Sequence, residues 1–133
     1  MARDLSSFIR DLSAEDAATR ATAAEKLNEL GEAAAPAAIV LIDALQDTDE
    51  SVRQFANSAL EGCGPPPCDL IDELEHRLAS NSADVAYWAA TLLGRLQAGA
   101  VQAVESLKSA AAIHPAEEVR QRATWALGKI ASG

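Results

Sequence analysis

Few side chains here could carry chemistry: two cysteines, two histidines and a set of carboxylates among 133 residues. Cys63 and Cys68 have neither the second cysteine pair nor the histidines that a closed zinc site takes. They read as free thiols of a reducing compartment, with a reactive thiolate at Cys68, beside a helix start, as the competing reading. No Ser or Cys has a His and an Asp arranged to activate it, no glycine-rich loop would cradle phosphate, and no carboxylate pair argues for acid and base roles. The expectation is a non-enzymatic protein with no cofactor and no metal.

The carboxylates Asp43, Asp72, Glu73 and Glu105 take their meaning from the elements that place them. The stretch SVRQFANSAL over 51–60 has a close relative in EVRQRATWAL over 118–127, and DVAYWAATLL over 84–93 lies between them. The alanines Ala23, Ala56, Ala89 and Ala123 stand 33, 33 and 34 residues apart, and Leu27, Leu60, Leu93 and Leu127 keep step. A period of this length marks stacked helical pairs. A third column, Leu30, Cys63, Leu96 and Ile130, places Cys63 in the core as a small apolar residue.

Within one copy, Val52, Ala56, Ala59, Leu60 and Cys63 fall on one face of a helix, the first of each pair. The second helices open at Pro36 and at Pro66-Pro67, where first-turn amides have no intrahelical acceptor. Their core columns are Leu41, Leu74 and Leu107, then Leu45, Leu78 and Ala111. Carried backward, this register reaches Phe8 and Leu12; carried forward, it runs out after Ile130. The expected fold is all-α, a right-handed α-α superhelix or solenoid of about eight helices. Their order is a lone second helix, three full pairs and a lone first helix, in a single repeat domain over residues 1–133.

The pattern Asp-x-x-Val-Arg-x-x-Ala-x-x-Ala-Leu-Gly resembles the short HEAT-like repeats of bacterial proteins, those named after phycobilisome lyases among them. Asp49, Val52, Arg53, Ala56, Ala59 and Leu60 carry it, as do Val119, Arg120, Ala123, Ala126, Leu127 and Gly128. Ala86 stands where the arginine belongs, Thr19 replaces the valine and Lys26 an alanine. The resemblance implies that Asp16 with Arg20, and Asp49 with Arg53, tie the turn of one repeat to its neighbour, and that Ala86 breaks this tie. Enzymes of this resemblance leave marks that are missing here. The hydroxylase type holds iron through His-Glu dipeptides, and neither His76 nor His114 precedes a Glu. The alkyl-base glycosylase type lines its concave face with Lys, Arg and aromatics, whereas the second helices here are acidic. An accessory subunit of a lyase-type enzyme stays open as the alternative to a binding scaffold.

A formal net charge of -9 disfavours phosphate polymers and anionic membranes, whose binding rests on Lys and Arg. No stretch approaches the roughly 18 apolar residues of a membrane span, and charges occupy residues 1–15, so the reading is a soluble cytoplasmic protein. In a solenoid of this kind the second helices line the concave face. Its expected partner-binding residues are the acidic tract Asp43, Asp72, Glu73 and Glu105, with His76 among them and an apolar spot at Ile39 and Val40. The partner implied is a protein or peptide with basic groups. Phe55 and Trp88 share a column at the flank of the core. Trp125 falls in a polar column, roughly 140° from the core centre on a helical wheel, and is expected to be exposed as an end contact. The two half-repeats would leave Phe8 and Leu12 at one end, and Val119, Leu127 and Ile130 at the other, without a covering helix. A monomer with capped ends is the first reading, and head-to-tail self-association the second.

Overall fold

The computed structural model describes residues 4–132, in two compact units that divide between Gly64 and Pro65. Eight α-helices and no strand occur among the described residues. The first unit holds α1 (Leu5–Asp11), α2 (Ala17–Glu29), α3 (Ala38–Ala44) and α4 (Glu50–Gly62). The second holds α5 (Ile71–Leu78), α6 (Ala83–Arg95), α7 (Val104–Ile113) and α8 (Glu117–Ser132). Second and first helices alternate in the order the repeat requires. No helix among the described residues is long and apolar enough to cross a membrane.

Apart from α1, which Asp4 caps by accepting the Ser7 amide, the second helices start differently from α2, α4 and α6. Asp16, Asp49 and Ser82 cap α2, α4 and α6 by accepting the amides of Thr19, Val52 and Val85, each cap contributing about 0.5–2 kcal/mol. The second helices α3, α5 and α7 have no side-chain cap and are entered through 3-10 turns, Gly31–Ala37, Cys68–Leu70 and Gln97–Ala103. Pro36 lies inside the first of these turns and Pro67 just before the second, so the α-helices begin later than the prolines suggest. Gly31 and Gln97 open the first and third turns with φ of 59° and 52°. The middle copy reaches its turn through an extended Cys63 and the run Pro65-Pro66-Pro67, whose fixed negative φ bars that left-handed step.

In the first unit α2 and α4 lie side by side, with α1 against α2 and α3 against α4. In the second, α6 lies beside α8, α5 packs on α6 and α7 on α8. Ala23, Ala56, Ala89 and Ala123 are buried at these seams, where a small side chain lets neighbouring backbones approach closely. Leu27, Leu41, Leu60, Leu74, Leu93 and Leu107 are wholly buried, each worth about 1.5–3 kcal/mol of apolar burial.

Three expectations need correction. Leu30 is not core: it is the C-cap of α2, where the chain leaves the helix, and it is 38% exposed. Ile39 is buried, because α3 is apolar around most of its circumference, with Ala38, Ile39, Leu41, Ile42 and Ala44 all inside. The open apolar ends are closed. Phe8, Leu12, Val119 and Ile130 are buried and Leu127 half-buried, since α1 lies on α2 and α8 is covered by α6, α7 and the turn before α7.

Charged groups organise the turn before α4. Arg20 grips Asp47 through two bonds, Nε to Oδ2 at 2.8 Å and Nη2 to Oδ1 at 3.1 Å. Asp47 also accepts the Asp49 amide at 2.9 Å. The tie between repeats thus runs from the arginine of one to Asp47 of the next, while Asp16 and Asp49 serve as helix caps. Burial alone would raise the Asp47 carboxyl, but the Arg20 guanidinium, the Asp49 amide and the charges of Arg20 and Arg53 hold it below its ordinary value.

A lowered carboxyl contributes stability that is complete above its unfolded pKa, about 3.9, and is lost as pH falls through the lower folded value. The melting temperature of the wild type should therefore fall more steeply than that of Asp47→Asn on acidification from about pH 5 to pH 2, the two converging at the acid end. Parallel curves would contradict this role. A second expectation concerns α6: a Cβ at Gly94 would lie 2.5 Å from Trp125 Cζ3 and 3.1 Å from Ala126 Cα. Gly94→Ala should destabilise the protein by about 1–3 kcal/mol in chemical denaturation, despite alanine's helix preference. Adding Trp125→Ala should restore part of the loss.

Candidate functional site

In the second unit a groove of about 520 Å³ runs between α5 and α7. Its apolar lining is Leu78, Ala79, Ala110, Ile113 and Pro115, and its polar lining is Glu75, Glu105, Ser106, Ser109 and His114. Ile113 is 76% exposed at one end, an unusual position for an isoleucine. Neutral donors hold one wall. The Ser106 hydroxyl donates to Glu75 Oε2 at 2.6 Å, and Gln102 Nε2 donates to Glu75 Oε1 at 3.1 Å and to Asp72 Oδ1 at 2.5 Å. Glu75 is thereby fixed in position with its negative charge uncancelled by these partners. Glu105 is more exposed, 3.5 Å from the exposed Lys108.

The structure distributes the sequence-derived candidates unevenly. Glu105 lines the groove, and Asp72 joins its wall through Gln102. Glu73 and His76 are exposed on α5 but do not line it. Val40, half-buried, and Asp43, exposed, belong to the first unit, as does the buried Ile39. Trp125 is 36% exposed on α8. Glu75, Ile113 and His114 escaped the sequence reading. The repeat offset of 33 sets Lys108 level with Glu75, with Ser106 just before it on α7 and Gln102 in the turn that enters α7, and that spacing is the signal in the sequence. Cys63 is buried and Cys68 exposed, both as free thiols. Among the described residues no three His, Cys, Asp or Glu side chains cluster to hold a metal ion.

No family model matches the chain, and no curated protein sequence is similar to it. Solved structures are. Two engineered proteins, 25% and 26% identical, superpose on 99% of this chain with TM-scores of 0.58 and 0.59. The chain spans 64% and 38% of their lengths, less than two thirds of each. A designed armadillo repeat protein in complex with the peptide (KR)4 is 21% identical, with a TM-score of 0.63 over 98% of this chain and 66% of its own. The complex of CpcE and CpcF of phycocyanin lyase from Nostoc sp. PCC7120 gives 20% identity and a TM-score of 0.56, over 96% of this chain and 78% of that one. The fold is that of a helical-repeat solenoid.

The solenoid's repetition explains how the groove is held at its other end. In three repeats the arginine of the first helix reaches back six residues to a turn carbonyl: Arg20 to Ala14 at 2.9 Å, Arg53 to Asp47 at 2.7 Å and Arg120 to His114 at 2.6 Å. At Ala86 the corresponding carbonyl is that of Ser80, and no arginine is there to meet it. His114 meets it instead, with Nε2 2.9 Å from the Ser80 oxygen. A carbonyl only accepts, so Nε2 donates; the Ala116 amide, 3.1 Å from Nδ1, donates to the other nitrogen. Both contacts require the neutral Nε2–H tautomer. His114 also repeats the local role of Asp47 and Ser80, whose side chains accept the amides of Asp49 and Ser82 two residues on.

His114→Ala would strand the Ser80 carbonyl and the Ala116 amide, and should cost about 2–4 kcal/mol in equilibrium unfolding. Ala86 is wholly buried, so Ala86→Arg should destabilise the wild type, and do so less in the His114→Ala background, where the lost ring leaves room and the guanidinium can meet the Ser80 carbonyl. Equal effects of Ala86→Arg in both backgrounds would show that histidine and arginine do not share the task.

Proposed function

We propose that this protein is a non-enzymatic binding scaffold of the helical-repeat type, and that the α5–α7 groove takes a peptide or protein segment bearing basic side chains. The observation that carries the reading is the fixed Glu75 carboxylate beside an apolar floor, with Glu105 on the facing helix. A lysine or arginine could lay its aliphatic stem on Leu78, Ala110 and Ile113 while its cation met the carboxylates. Because Ser106 and Gln102 already hold Glu75, little ordering remains to be done on binding. Asp72, Glu73 and His76 extend the acidic character along α5, and the net charge of -9 would steer a basic partner. Val40 and Asp43 offer a smaller exposed set on the first unit.

The designed armadillo protein, which has the same fold, is solved with a basic peptide, (KR)4. The likeness to the CpcE and CpcF complex keeps an accessory lyase subunit as a second reading, resting on fold alone. Burial of Phe8, Val119 and Ile130 removes the apolar ends that head-to-tail association would have covered, which supports a monomer.

Labelled (KR)4 titrated into the full chain should bind saturably and more weakly as salt rises. Glu75→Gln with Glu105→Gln should weaken binding by roughly tenfold, about 1.4 kcal/mol, and Ile113→Ser should weaken it as well. Charge reversal at Asp72 and Glu73 should have a smaller effect. If the Glu75 and Glu105 changes left the titration unaltered, the groove would not be the site.

A further inference from the structure

The other layer of the second unit, α6 with α8, carries a surface of opposite character. The Arg122 guanidinium lies between two rings, 4.7 Å from the centre of Tyr87 and 4.6 Å from that of Trp125. Its Nη2 donates to the Tyr87 hydroxyl at 2.6 Å. Lys129 lies 5.9 Å from the Trp125 ring, so that ring has a cation one turn away in each direction along α8. The indole rests on Gly94, where no Cβ holds it off, and still leaves over a third of its surface in water. A chain with only five Phe, Tyr and Trp side chains thus sets a Tyr and a Trp on one arginine.

We propose that Tyr87, Arg122, Trp125 and Lys129 form a docking surface for an acidic protein segment, with carboxylates on the two cations and an apolar side chain laid on Trp125. Three arguments converge. Trp, Tyr and Arg are the residues that dominate binding energy at protein interfaces. Gly94 and the Tyr87 hydroxyl hold this set in place beforehand, so little side-chain freedom is lost on binding. The surface is basic on a chain of net charge -9, so its complement is acidic. Two cations on so acidic a chain do not suffice to neutralise a nucleic-acid backbone. The surface lies on α6 and α8, away from the α5–α7 groove, and the inference does not depend on what the groove binds.

The probe is a short synthetic peptide of glutamates with two leucines four residues apart, together with a twin in which glutamine replaces every glutamate. Titrated into the full chain, the glutamate peptide should shift tryptophan emission saturably, with affinity falling as salt rises. The glutamine twin, and the wild-type peptide on Arg122→Gln with Lys129→Gln, should bind roughly tenfold more weakly. Trp125→Ala, checked for fold by circular dichroism, should lose the response, and Arg122→Lys, which keeps the charge but not the stack, should be intermediate. Glu75→Gln with Glu105→Gln should leave it unchanged, which separates this surface from the groove. The proposal fails if emission does not saturate or if the glutamine twin binds equally well. It fails too if an oligothymidylate of matched length binds more tightly, or if sedimentation shows self-association through Trp125 that the glutamate peptide cannot displace.

Discussion

The hydrogen bond from His114 Nε2 to the Ser80 carbonyl is the contact on which the second unit's groove depends. Each repeat presents a turn carbonyl that needs a donor, because a carbonyl removed from water without one forfeits its solvation. Arginine supplies that donor in the other repeats. Where Ala86 cannot, the ring from the following turn does, and in doing so it fastens the foot of α7 to the foot of α5. Gln102 and Ser106 fasten the same two helices nearer their starts, through Asp72 and Glu75. The space between these fastenings is the groove, so its width follows from hydrogen bonds that serve the repeat itself.

The second unit carries a differently charged patch on each of its two layers. The α5–α7 layer presents carboxylates beside an apolar floor, and the α6–α8 layer presents guanidinium and ammonium groups on aromatic rings. Small residues make both possible. Ala89 and Ala123 let α6 and α8 approach, and Gly94 leaves room for an indole that any side chain would displace. A chain with few aromatics and many alanines packs its helices close, buries Phe8, and sets Tyr87, Trp88 and Trp125 beside cations.

The fold was legible because its signal is repeated. Columns such as Leu41, Leu74 and Leu107 recur, and burial of one predicts burial of the others. Legibility fell where local geometry breaks the repeat. Leu30 keeps the spacing of a core residue but sits where the helix ends. Ile39 keeps the spacing of a solvent-facing residue, but its own helix is apolar nearly all round. The ends are closed because a helix can be covered by its neighbours within the unit without the missing member of its pair.

Of the site, residue type was readable and partnership was not. Sequence alone determined the all-α repeat, its register of 33 to 34 residues and the exposure of Trp125, since each follows from periodicity along one helix. Only the tertiary structure decided that Glu75 meets Ser106, that Arg122 lies between Tyr87 and Trp125, and that His114 does the work absent at Ala86. Apart from Arg122 and Trp125, one turn apart on α8, these contacts join residues 31 to 35 positions apart on different helices or the turns that follow them. Their geometry depends on how far one helix is shifted and turned against the next, which hydrophobic spacing along a single helix does not specify.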